Sequence, residues 1–417
     1  MPSAVVDVIA VGALALLLVV AFRHPRGSVE VLAGTVAATA VVASGAVDLG
    51  EAWQQVRLLL PVVAFLAGIL VMAEMCAAEG LFAAVGALVA RASRGHPKRL
   101  LTLTFASAAV ITATLSLDAT VVLLTPVMAA AAASVGTSRR PAVHACARLA
   151  NSASLLFPVS NLTNLLALST LRLSFGRFAL VMAPVWLAVI LVEYVGQRIY
   201  FAGDLSASPT AVSAGSDVEV PLVPLVVVGS ALVAFALTSP LGVQPAWVAG
   251  IAALVLSGYA VSRRRVRPAE VIRAAHLSFG VFVLCLGIVV AGLADTFLGT
   301  AVAALVPHDT GLLALLLVAL LSTALANVVN NLPATLLLLP LIAPLGTIAV
   351  LAALIGLGVG SGLTYTGSLA NLLWRRTVLR HGGNPSAREF HALSAMVTLP
   401  AVVTGVVVLW AWQPLVR

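Results

Sequence analysis

Four short polar interruptions in otherwise apolar sequence hold the residues able to do chemistry. Thr114–Thr120 carries Asp118 and Thr120, and Ser160–Asn164 carries Asn161, Thr163 and Asn164. Asn327–Pro333 carries Asn327, Asn330 and Asn331, and Gly356–Asn371 carries Thr364, Ser368 and Asn371 among its glycines. An acidic side chain at membrane depth is costly and marks function by default. Protonated, Asp118 would carry a proton; ionised, it would suit a cation; a structural helix cap is the competing reading. The Asn, Ser and Thr groups offer donors and acceptors without charge. Each interruption precedes an apolar run whose helix N-terminus would face it, with free N–H groups and about half a positive charge. Pro333 fits the first turn of a helix capped near Asn331. Glycines at 356, 358, 360, 362 and 367 allow close backbone approach. The pattern describes a site for a small polar solute, with Asp118 as its ionisable group.

Other reactive side chains carry less. Glu74, Glu193 and Asp295 lie close enough to span ends to be interfacial. His144, His276 and His308 have no partner at metal-ligand spacing, and Tyr365 either lines the pocket or packs. Cys76, Cys146 and Cys285 lack CxxC spacing and read as small buried hydrophobes. No metal site and no cofactor follow. Lys98, the sole lysine, precedes Arg99, so there is no Walker A motif; HExxH and GxSxG are absent too. Neither an enzyme nor an ATP-driven pump is expected.

The elements that must hold the four interruptions are membrane helices. The 417 residues are 61% apolar and 9% charged, with mean hydropathy +1.11. Those values exclude soluble, disordered and disulfide-rich secreted classes. Unbroken runs such as Leu222–Leu237 and Val397–Trp410 exclude a barrel. The expectation is an all-α polytopic membrane protein with about ten transmembrane crossings plus two re-entrant hairpins. Crossings are placed at 4–22, 29–47, 58–78, 141–176 (interrupted), 178–197, 222–239, 246–261, 277–294, 347–376 (interrupted) and 392–413. Hairpins are placed at 100–135 and 311–345. The first run, Val5–Phe22, reads as a retained helix and not a cleaved signal.

With that path, nineteen of the 23 basic residues fall on one side. They include Arg91, Arg94, Lys98 and Arg99, Arg148, and the Arg263–Arg265 cluster; Arg57, Arg172, Arg177 and Arg417 fall opposite. The positive-inside rule then places both termini outside a cell (plasma or inner) membrane. The net charge of +8 belongs to cytoplasmic loops, and no nucleic-acid partner is expected.

The chain also repeats itself in opposite orientation. Ala67–Ala73 resembles Leu286–Gly292, the run from Leu117 to Pro126 resembles that from Asn331 to Pro340, and Ser160–Leu166 resembles Gly367–Leu373. The expected organisation is an inverted-topology repeat. Residues 1–199 form the first copy and 221–417 the second, joined by a Ser/Ala/Gly/Pro-rich linker over 200–220. Short segments at 80–91 and 296–306 read as interfacial helices bracing the hairpins.

At these residues the chain resembles the arsenite/antimonite efflux permeases (ArsB type) of the ion transporter superfamily. The resemblance is densest at Pro158–Asn164, Asn330–Pro333 and Gly367–Trp374, and continues through Met396–Pro400. Asp118 falls at the family's Asn-Asp-Gly hairpin tip, here flanked by Leu117 and Ala119; Leu124-Thr125-Pro126 matches as well. Asn151 and Gly358 replace acidic positions of the family, and Tyr365 replaces a proline, so the pocket is less acidic. The resemblance implies secondary active export of a small inorganic oxyanion or hydroxide, arsenite or antimonite, coupled to the proton gradient. A sodium/proton antiporter, a sodium-coupled dicarboxylate carrier and a non-transporting scaffold subunit remain alternatives. The family's ATPase partner and a homo-oligomer are both compatible with the sequence.

Overall fold

The computed structural model describes residues 3–23, 27–171, 173–208, 218–294 and 296–413. Arg26, Arg172, Asp295, Arg417 and linker residues 209–217 lie outside them. Among the described residues the regular structure is helical, without strands. Among the described residues, ten helices are long and apolar enough to cross a membrane. They are Ala4–Arg23, Gly27–Ser44, Leu49–Ala78, Leu117–Ser134, Phe175–Tyr200, Leu222–Leu241, Pro245–Ser262, Pro268–Ala291, Leu312–Val329 and Ala387–Trp412. The protein is a multi-pass membrane protein. Its surface agrees with lipid contact: Leu225, Val226, Ile251 and Leu254 are exposed, while Ser, Thr and Asn side chains are buried in number.

The ten helices are not the ten crossings expected from sequence. Leu117–Ser134 and Leu312–Val329, each 18 residues, are arms of the regions read as hairpins. At 1.5 Å per residue each arm is about 27 Å long, close to the thickness of the hydrocarbon core. The interrupted crossings drop out because their halves are short. The first runs Arg139–Ser152, two 3₁₀ turns (Ala153–Leu155 and Pro158–Ser160), then Leu162–Leu171. The second runs Thr347–Gly358, two 3₁₀ turns (Gly360–Leu363 and Tyr365–Gly367), then Leu369–Arg380. Helices also occupy the two short segments, at Leu81–Ser93 and Phe297–Ala304.

The arms pack closely. A Cβ on Gly356 would strike the carbonyl of Ala319, so Thr347–Gly358 lies directly against Leu312–Val329. Phe175–Tyr200 and Ala387–Trp412 run antiparallel, with Gly196 against Val397 and Gly405 against Val189. Small residues permit this contact, the usual device where lipid removes the hydrophobic drive between helices. Cys76 and Cys146 are buried, free and packed in the core, and Cys285 is half-buried.

Two charged residues form a buried pair that the sequence reading did not foresee. Glu193 and Arg148 are both buried in the protein interior, their side chains 0% and 2% exposed and paired at 2.6 Å. The helix Phe175–Tyr200 carries Glu193 inward, and a guanidinium from Arg139–Ser152 neutralises it.

Candidate functional site

The two broken helices are held open by the same hydrogen bonds at the same spacings. Asn164 Nδ2 donates to Ser154 O at 2.8 Å and Phe157 O at 3.2 Å, ten and seven residues back. Asn371 Nδ2 donates to Ser361 O at 2.9 Å and Thr364 O at 2.7 Å, again ten and seven residues back. Ser154 Oγ donates to Asn151 O, and Ser361 Oγ to Gly358 O, both at 2.7 Å. Each returning helix is capped alike. Asn161 Oδ1 accepts from Thr163 N, and Ser368 Oγ from Ala370 N, both at 3.1 Å. A helix interrupted inside the membrane leaves carbonyls with no water to take them, and these side chains take them instead.

The hairpins are stitched to the breaks. Ser160 Oγ donates to Ala113 O at 2.6 Å in the first. In the second, Asn327 Nδ2 donates to Thr323 O and Gly360 O, and its Oδ1 accepts from Thr364 N and Oγ1. Asn330 holds φ 73°, rare for a non-glycine residue, and its Nδ2 donates to Thr366 O at 3.0 Å. The helix beyond it starts at Asn331 with Asn330 as its cap, one residue earlier than the sequence suggested. Ser116, not Asp118, caps the helix after the first tip, accepting from Ala119 N at 3.3 Å. A π turn at Thr120–Leu124 follows.

All four interruptions meet at one cavity of about 70 Å³. Its polar lining is Ser116, Asp118, Ser160, Asn161, Thr163, Asn331 and Ser368; Phe65, Ile69 and Phe279 close its sides. The helix ends at Leu117, Leu162, Asn331 and Leu369 all line it. Asp118 is its one charged lining residue. Among the described residues, no side chain or backbone group hydrogen-bonds the Asp118 carboxylate or the Asn331 amide. The Thr163 hydroxyl is buried without a partner. Buried polar groups are normally satisfied, which marks the Thr163 hydroxyl, and the half-buried Asp118 and the Asn331 amide line the same cavity, so these three are the groups left to hold a solute.

Of the residues singled out from sequence, the structure thus brings Asp118, Asn161, Thr163, Asn331 and Ser368 together. Six others do not line the cavity. Thr120 is buried against Thr112 at 2.7 Å. Asn164, Asn327, Asn330 and Asn371 donate to the backbone of the breaks and tips, and the Thr364 hydroxyl donates to Asn327 Oδ1 and accepts from Gly367 N. Sequence reasoning missed Ser116 and the Arg148–Glu193 pair. The pair lies 45 residues apart, and a spacing pattern carries no signal for it.

Asp118, Phe279 and Leu369 are shared between the cavity and a vestibule of about 370 Å³. That vestibule is lined further by Glu30, Glu74, His276, Arg376 and Arg380. A separate hollow of about 470 Å³, lined by Glu51, Gln54, Gln55 and Thr170, has no lining residue in common with the cavity.

The family model CitMHS, described as citrate transporter, matches residues 7–360. An arsenical pump membrane protein of Yersinia enterocolitica is 26% identical over 407 residues, covering 93% of this chain and 94% of the relative. The protein of the same description from Escherichia coli (strain K12) is also 26% identical over the same shares. Among solved structures, the Alcanivorax borkumensis YdaH transporter superposes with a TM-score of 0.56 at 18% identity, covering 85% of each chain. At that identity the likeness concerns the fold.

Proposed function

The chain belongs to the CitMHS family of membrane transporters, and from that premise we propose that it is a secondary active exporter of arsenite or antimonite, driven by the proton gradient. One observation carries the reading: a cavity of about 70 Å³ with a single unpaired carboxylate and no Lys, Arg or His in its lining. Drug-sized ligands need about 300 Å³ or more, so the cavity suits a solute of a few heavy atoms. A citrate-like anion carries several charges and would need cationic partners that the lining lacks. The four helix ends, about half a positive charge each, more than offset the carboxylate and let it stay ionised in the cavity. A neutral trihydroxide fits the hydrogen-bonding groups, donating to Asp118 and Thr163 and accepting from the Asn331 amide. The curated relatives named as arsenical pumps support the same substrate.

The matching hydrogen bonds of the two breaks support an inverted repeat with 1–199 and 221–417 as its copies. The arginine-lined vestibule then faces the cytoplasm, and the shared Asp118 opens the cavity to that side. Asp118 loads solute there, exchanges a proton, and discharges once the repeats rock to the other face. A potential of 100 mV supplies about 2.3 kcal/mol per charge, enough for roughly 50-fold accumulation.

The test is arsenite uptake into inverted vesicles, with and without a proton gradient, for wild type and Asp118→Asn. Gradient-driven uptake that falls to background in the variant is the expected result. Uptake untouched by the substitution removes the proton-carrier role. No arsenite flux in folded wild type removes the substrate, and sodium-dependent carboxylate flux would then select the alternative carrier.

A further inference from the structure

A fully buried ion pair is an expensive way to hold helices together, and apolar residues of equal volume often do as well. Arg148 does something apolar residues cannot. Its Nε and Nη2 donate to Glu193 at 3.0 and 2.6 Å. Its Nη1 reaches past the pair to Gly362 O at 2.6 Å and Ser394 Oγ at 3.2 Å. Ser152 Oγ donates to Glu193 Oε1 at 2.7 Å, so the carboxylate is fixed from a second direction. Gly362 lies in the 3₁₀ turn Gly360–Leu363 of the second break, and a Cβ there would stand 2.8 Å from Nη1.

One turn along the same helix face, Asn151 completes the grip. Its Nδ2 donates to Asn371 Oδ1 at 2.7 Å, and its Oδ1 accepts from Ser361 Oγ at 3.3 Å. The first broken helix therefore holds the second break on both sides of Ser368, a cavity-lining residue. The helix that supplies Glu193 also holds the first break: Trp186 Nε1 donates to Ala153 O at 2.9 Å. Trp186 and Glu193 are seven residues apart, about two turns, and share one face.

Resting on the transporter reading above, we propose that Arg148 is a positioning residue that sets the shape of the second break, and that Glu193 aims it. Phe175–Tyr200 is then a common frame for both breaks, touching the first directly and the second through the guanidinium.

The test uses the full chain purified in detergent. Arg148→Lys keeps the charge, but a point donor does not span both Glu193 and Gly362. R148M/E193L removes both charges and leaves neither unpaired. Hydrogen–deuterium exchange is read across 360–367 and across Leu222–Thr238, which makes no bond to Arg148 or Glu193. Loss of a charge-assisted bond corresponds to about 10- to 100-fold faster exchange in 360–367, with Leu222–Thr238 unchanged; for arsenite flux, KM rises more than kcat falls. Wild-type exchange at 360–367 in two folded variants overturns the proposal. So does faster exchange spread evenly over the chain, the signature of a purely structural pair. Locally faster exchange together with no arsenite flux in wild type leaves the clamp standing and removes the substrate assignment.

Discussion

Asn164 and Asn371 each take two backbone carbonyls that a broken helix leaves without donors. Replacing either by Ala strands both carbonyls away from water. The expected loss is about 1–3 kcal/mol of stability for each, read as a lower thermal midpoint in detergent. Thr163→Val should behave oppositely, because its hydroxyl has no protein partner to lose. Its expected effect is a raised KM for arsenite with an unchanged midpoint. The two classes of residue could not be told apart in the sequence. A polar residue inside an apolar run announces a break, and that much composition reveals. Whether its amide turns to the chain's own backbone, as in Asn327, or to a cavity, as in Asn331, depends on contacts dozens of residues away. The role of Arg148 was unreadable for a related reason: in sequence it counts with Arg139 and Arg140 on the basic side, and only its distant partner shows it buried and paired.

Among the elements, hydropathy located apolar runs well and helix ends poorly. The run expected from 58 begins at Leu49, where Asp48 and Glu51 form a reciprocal cap at 2.8 and 3.1 Å. Its first turns carry Glu51, Gln54, Gln55 and Arg57, which lower the hydropathy while the helix continues. Three of these polar side chains line the separate hollow, so the residues that hid the helix start are the ones that give that hollow its polar groups. The breaks depend on close approach between arms. Gly356→Ala should push Thr347–Gly358 off the Ala319 carbonyl. Overpacking of that kind costs about 1–3 kcal/mol, and its check is the thermal midpoint alongside vesicle uptake. A midpoint within error of wild type would show that the arms can part without cost.

For the molecule as a whole, orientation is the quantity to measure. The charge distribution expects Gln54 outside and Arg264 inside. Gln54→Cys should react with a membrane-impermeant maleimide in intact cells, and Arg264→Cys only after permeabilisation. The reverse pattern would invert the direction assigned to transport. The lining of the central cavity bears on how such a protein can be made at all. Its walls come from residues 116–118, 159–163, 331–332 and 368–370, together with Phe65, Ile69 and Phe279. A ribosome that has finished residue 300 has therefore delivered helices to the bilayer but only part of a pocket. The remaining wall arrives near the end of translation. An interrupted synthesis leaves a fragment with an unfinished chamber.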